Sequence, residues 1–233
     1  MIELEQTADG SYTLFVPELN EHYHSVKGAL TESEHIFINM GMKHHPSSTL
    51  RILEIGFGTG LNAFLTLLEA DNSKRQVHYT TIERYPVSND IVHQLAYPEQ
   101  ICPKRSNDFY ALHNSAWNTD ISLTPYFTLH KVEGDFTNYK FQGAFDLIYF
   151  DAFAPEKQPE MWSQELFNTL YASLNSGGIL TTYCAKGVIR RMLQTAGFTV
   201  ERLPGPPGGK REILRASKSL IPQHILLEIN LKY

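Results

Sequence analysis

From Glu54 to Gly60 the chain reads Glu-Ile-Gly-Phe-Gly-Thr-Gly, a pattern that brings backbone close to a ligand. Glycine permits the tight turn and the close approach, and the N-terminus of a following helix offers unpaired N–H groups. Gly56, Gly58 and Gly60 alternate as G-x-G-x-G, unlike the G-x-G-x-x-G of a dinucleotide site. Alone, such a cluster also suits a plain strand-to-helix turn. Two companions extend it. Glu83 closes the next apolar run, where a carboxylate can accept hydrogen bonds from both hydroxyls of a ribose. Gly134-Asp135 follows a third run and can approach the edge of an adenine ring. Glu83 could instead pair with Arg84, and Asp135 could cap a turn; in this order the three features favour a nucleoside cofactor.

A second constellation follows FDLIYF at 145–150, which runs into Asp151-Ala152-Phe153-Ala154-Pro155 and on to Trp162. Ligands of open α/β sheets bind outside the carboxyl ends of the strands, so this loop should face the glycine turn. A carboxylate there can orient an amine by accepting its hydrogen bonds and can take its proton, since only the unprotonated nitrogen has a lone pair to donate. The competing role for Asp151 is to cap a helix starting near Pro159. Phe153 and Trp162 suit either stacking on a base or filling the core, with Trp162 leaning to the core.

The elements that must position these groups alternate in type. Residues 2–16 read as two short strands around Asp9-Gly10, a dipeptide suited to a tight hairpin turn. A helix is expected over 28–42, with Thr31 and Glu34 as its cap. Then come strand 50–55, helix 60–69, strand 77–82, a helix near 87–95 and an irregular segment to about residue 125. Further strands are expected at 126–132, 145–150 and 179–184, with a helix over 160–174. A basic helix over 186–196 ends at Gly197, and strands at 198–202 and 212–216 flank PGPPGGKR, which cannot be helical. Such alternation implies an α/β fold, a mostly parallel sheet with helices on both faces. The expected divisions are a hairpin extension (1–27), one main domain (28–218) and a tail (219–233).

Composition narrows the class. With 233 residues, 42% hydrophobic and 19% charged, the chain can bury one full core. No apolar run approaches the roughly 20 residues of a membrane span, and the acidic N-terminus lacks a signal-peptide pattern, so a cytoplasmic protein is expected. Cys102 and Cys184 form no C-x-x-C pair, and His22, His24, His44 and His45 sit in no metal-binding frame, so no metal site is expected. The formal charge of −5 hides an asymmetry: residues 186–218 carry eight basic side chains against Glu201 and Glu212. A basic stretch on an acidic body concentrates positive potential and can attract nucleic acid, although a solvated helix and loop would look the same.

The ordered set EIGFGTG, Glu83 and Asp135 resembles the Rossmann-like S-adenosylmethionine-dependent methyltransferases. Together with HYHSVKGALTESEHIFI, FDLIYFDAFAPEKQPEMW and TYCAKGVIRRMLQTAGFTVERLPGPPGGKREIL, it resembles the methyltransferase half of the bifunctional tRNA 5-methylaminomethyl-2-thiouridine biosynthesis proteins (MnmC) and their stand-alone relatives. The resemblance spans roughly residues 20–217. It implies S-adenosylmethionine as cofactor, held by Glu54, Gly56, Phe57, Gly58, Gly60, Glu83, Asp135 and Phe136, with Glu32 over it. It further implies Asp151 as the catalytic residue, tRNA as partner, and Phe153, Lys157, Lys186, Arg190, Arg191, Lys210 and Arg211 on the substrate side. The implied reaction is N-methylation of 5-aminomethyl-(2-thio)uridine at the wobble position. The flavin-dependent oxidase half of the bifunctional proteins is not expected within these residues.

Two rival readings fit parts of the same sequence. A small-molecule amine N-methyltransferase or an aminopropyltransferase would explain Asp151 but not the basic stretch. A non-catalytic RNA-binding protein on a vestigial cofactor fold would explain the basic stretch but not the intact acidic and glycine positions.

Overall fold

The computed structural model describes residues 2–141 and 143–220. The expected tail falls almost wholly outside them. Strands β1 (Glu3–Gln6), β2 (Tyr12–Val16) and β3 (Glu21–His22) make a small antiparallel sheet, turning at Gly10 with φ 85°. Eight strands build the main sheet: β4 (Thr49–Ile55), β5 (Gln76–Glu83), β6 (Asp120–Thr124), β7 (Phe127–Glu133), β8 (Phe145–Phe150), β9 (Leu174–Thr182), β10 (Thr199–Pro204) and β11 (Glu212–Ser217). Their order is β10-β11-β9-β8-β4-β5-β7-β6. The five strands from β9 to β7 run parallel, and β10, β11 and β6 add antiparallel edges.

Alternation along each strand feeds two cores. Leu50, Ile52, Tyr79 and Tyr149 enter one apolar cluster, while Leu53, Ile55, Ile82 and Phe150 enter the other. Helices α2 (Leu61–Ser73) and α5 (Ser106–Asn114) cover the first face; α6 (Gln164–Ser173) and α7 (Gly187–Ala196) cover the second. The chain passes from β4 to β5 and β7 on one side of the sheet, then returns to β8 on the other. That switch point puts the ends of β4 and β8 side by side, with Ile55 opposite Phe150, and so brings Gly56 next to Asp151.

Three expectations are corrected. The helix over 28–42 begins as a short α1 (Ala29–Ser33) and continues as a π-helix, Glu34–Met42, whose wider turn buries the consecutive Ile36, Phe37 and Ile38. Thr31 is not its cap: Thr31 donates its backbone N–H and its hydroxyl to Asp9 of the hairpin turn, at 2.9 and 2.7 Å. The segment before residue 125 is ordered as α3 (Asn89–Gln94), α4 (Tyr97–Ile101), a 3-10 turn at Pro103–Arg105, α5 and β6. Pro98 and Pro103 read as breakers, yet they occupy first-turn positions where no N–H is needed. Phe109 and Leu112 lock α5 onto the core beside Phe64. Among the described residues no helix is long and apolar enough to cross a membrane.

Candidate active site

The β4–α2 turn adopts the conformations its glycines make accessible. Gly56, Gly58 and Gly60 have φ of 87°, 51° and 74°. A Cβ on Gly58 would lie 3.0 Å from the Tyr23 ring, whereas one on Gly56 or on Gly134 would meet almost nothing, leaving backbone open to a cavity of about 280 Å³. Glu83, at the end of β5, crosses to this turn. Its Oε2 accepts the Gly58 N–H at 3.0 Å and its Oε1 the Tyr85 N–H at 2.7 Å. Asp135 sits opposite, accepting Thr137 N–H at 2.9 Å and pairing with Arg84 at 2.8 Å. It therefore caps the turn after β7 while also lining the cavity with Phe136, Ile82 and Met161.

Asp151 stands where this cavity meets a second, of about 290 Å³, that includes Glu32, Tyr183 and Lys210. Asn62, in the first turn of α2, donates Nδ2–H to Asp151 Oδ2 at 2.9 Å. Burial, reinforced by the Glu32 charge, pushes the Asp151 carboxyl up to about 7. Asp151 caps no helix; Ser163 caps α6, accepting Leu166 N–H at 3.2 Å. The loop beyond Asp151 is pinned twice: Trp162 Nε1 donates to the Phe153 carbonyl and Tyr183 OH to that of Ala152, each at 2.8 Å. Trp162 is thus a core residue packed on Phe150. Phe153 lines both cavities and meets Tyr23 edge-to-face at 5.0 Å.

A family model described as S-adenosyl-L-methionine-dependent methyltransferase matches residues 110–219. The tRNA 5-methylaminomethyl-2-thiouridine biosynthesis bifunctional protein MnmC of Pseudomonas syringae is 29% identical over 222 residues, covering 89% of this chain and 33% of that protein. The chain thus spans about a third of that relative's length. MNMC2 from Aquifex aeolicus superposes with a TM-score of 0.70 at 24% identity over 98% of this chain and 75% of the other. The chain is similar to the MnmC proteins over most of its length. Its fold also resembles spermidine synthase from Thermotoga maritima, with a TM-score of 0.55 and 17% identity over 95% of this chain and 74% of that one.

The residues lining the first cavity fit S-adenosylmethionine, the cofactor named in the matching family model's description. The open faces of Gly56 and Gly134 leave room against backbone, Glu83 presents a carboxylate suited to a ribose diol, and Ile82 and Phe136 supply an apolar wall for a purine. Three cofactor expectations are revised. Gly60 does not line the cavity; it starts α2, and a Cβ there would strike the His113 ring at 2.6 Å. Glu54 lies beneath the turn, fully buried beside Tyr79 and Thr81, and burial holds its carboxyl well above the usual range. Glu32 lines the second cavity, where Oε2 accepts Ser25 N–H at 2.9 Å and the other oxygen meets Lys210.

Much of the basic stretch is already neutralised. Lys186 pairs with Glu156, Arg202 with Glu212 and Arg215 with Glu201, while Lys218 donates to the Tyr171 and Leu174 carbonyls. Arg191 and Arg211 are exposed and Arg190 half-buried, whereas half-buried Lys157 lines neither cavity. Among the described residues no cluster could hold a metal ion. Sequence reasoning missed Tyr23, Asn62 and Tyr183. Asn62 carried a usable signal, an amide two residues beyond the last glycine; the two tyrosines reach the site only through tertiary packing.

Proposed function

We propose that the chain transfers a methyl group to the primary amine of 5-aminomethyl-(2-thio)uridine at the wobble position of tRNA. The observation that carries this reading is the placement of Asp151 at the junction of two cavities, one suited to the cofactor and one walled by aromatic rings and carboxylates. When bound, S-adenosylmethionine supplies an activated methyl group on a positively charged sulfur. Asp151 does the rest of the polar work. A primary alkylamine is mostly protonated near neutral pH, so a base must accept its proton. A carboxyl pushed up to about 7 is better matched to that task than an ordinary aspartate. Asn62 fixes the orientation of the carboxylate, and the enclosing Tyr23, Phe153 and Tyr183 rings limit water around the nitrogen.

The likeness to the tRNA 5-methylaminomethyl-2-thiouridine biosynthesis protein of Pseudomonas syringae supports the tRNA substrate, as do the basic side chains of Arg190 and Arg191 on α7 and of Arg211 on the β10–β11 loop. The extensive pairing of the other basic side chains favours, as a second reading, a small amine substrate. Single-turnover methylation of the free nucleoside 5-aminomethyluridine tests the chemistry apart from RNA binding. Product with the parent and at least a hundredfold less with Asp151→Ala, at unchanged S-adenosylhomocysteine affinity, is the expected result. Equal rates would remove Asp151 from the reaction.

A further inference from the structure

The second cavity already contains a cation. Lys210, from the glycine- and proline-rich loop between β10 and β11, reaches across the fold to pair with Glu32, 178 positions earlier in the chain. Its ammonium nitrogen lies 4.3 Å from the centre of the Tyr183 ring, the geometry of a cation–π contact. Glu32 is buried, and its remaining partner is the neutral N–H of Ser25. A buried carboxylate is costly without a counterion, so the site demands a positive charge at this spot. Across the same cavity stands Asp151, whose ionisation Glu32 opposes and Lys210 favours.

We propose that the pocket between Glu32, Tyr183 and Asp151 is a binding site for a primary alkylammonium group, and that Lys210 is a tethered stand-in which the substrate's own ammonium displaces. The proposal rests on the amine reading of the substrate above and adds Glu32 and Tyr183 as the groups that first receive the charged amine. From there the nitrogen passes its proton to Asp151. The tether also sets specificity. A side chain held by a short loop competes at an effective concentration in the millimolar range or higher. A free amine in solution must overcome it unaided, whereas an amine attached to a larger bound ligand has additional contacts to offset the exchange.

The test uses the full chain, saturated with S-adenosylhomocysteine, and benzylammonium chloride as probe, with affinity read by calorimetry. Lys210→Met leaves Glu32 without its counterion and so should lower the thermal transition, while the exposed loop position keeps the fold, which a cooperative transition verifies. The expected result is an affinity about tenfold or more higher for Lys210→Met than for the parent, with the gain lost in Lys210→Met/Glu32→Gln. Tyr183→Leu in the Lys210→Met background should also weaken binding, a loss that a purely electrostatic role for the pocket would not give. Parent-like or weaker binding by Lys210→Met overturns the proposal. A gain in that variant while the parent methylates no tRNA would sustain the ammonium site and remove the tRNA reading. Methylation of tRNA without any gain would do the reverse.

Discussion

Replacing Asp151 by asparagine should make the protein more stable while stopping its chemistry. Asp151 is half-buried against Asn62, faces Glu32 and Lys210 across the cavity, and lies near the buried Glu54; removal from water is the main reason its carboxyl rises from 3.8 to about 7. A carboxyl with a raised folded value binds its proton more tightly in the folded state. Stability therefore falls as pH climbs through the window from about 4 to about 7 and then levels off. The shift of about three units, at about 1.4 kcal/mol per unit, sets a ceiling of about 4 kcal/mol. Water reaching the cavity wall reduces this to about 2 kcal/mol, or about 4–8 °C in Tm for a chain of this size. Asparagine can still accept the Asn62 hydrogen bond, so the gain isolates the charge. Urea or thermal unfolding of parent and variant at pH 4.5 and pH 8 reads it directly. The variant should exceed the parent at pH 8, by much less at pH 4.5. A variant no more stable than the parent at pH 8 would refute the claim that Asp151 holds a strained charge.

Gly58→Ala places a Cβ at φ 51° and 3.0 Å from the Tyr23 ring; urea unfolding should show a loss of about 1–2 kcal/mol, and calorimetry a drop in S-adenosylhomocysteine affinity of at least tenfold. Trp162→Phe removes the indole N–H that holds the Phe153 carbonyl at 2.8 Å; the loop bearing Asp151 loosens, so kcat falls while cofactor Kd stays within twofold, at a stability cost of about 1 kcal/mol. Alanine at Arg190, Arg191 or Arg211 should each reduce the slope of log tRNA affinity against log salt by up to roughly 0.9. Alanine at Arg202 or Arg215, already paired with Glu212 and Glu201, should change it little; equal effects at all five positions would count against the charge map.

The sheet was legible because its strands are short apolar runs with turn residues at their ends, and the glycine turn because positive φ leaves few residue choices. Adjacency of Gly56 and Asp151 followed from topology alone, since both end strands at the switch point. The missed parts have a common physical origin. The α4–α5 region carries its core contacts on few residues, Tyr97, Phe109 and Leu112, among polar ones, and its prolines resemble breakers until their first-turn positions are known. The π-helix arises from packing: Gly41 lies against Tyr149, Leu147 and Thr181, which no local pattern announces. Net charge misled in detail, because the acidic partners of Lys186 and Lys210 lie far away in sequence. Glu32 illustrates the same limit, its side chain being drawn to Lys210 in the second cavity.

The most direct test of the proposed function is methyl transfer from labelled S-adenosylmethionine to bulk tRNA from cells lacking this activity, followed by nucleoside mass analysis. Label in 5-methylaminomethyl-uridine derivatives, dependent on Asp151, is the predicted result. Cofactor binding with no labelled tRNA, and label instead on a small amine, would contradict it.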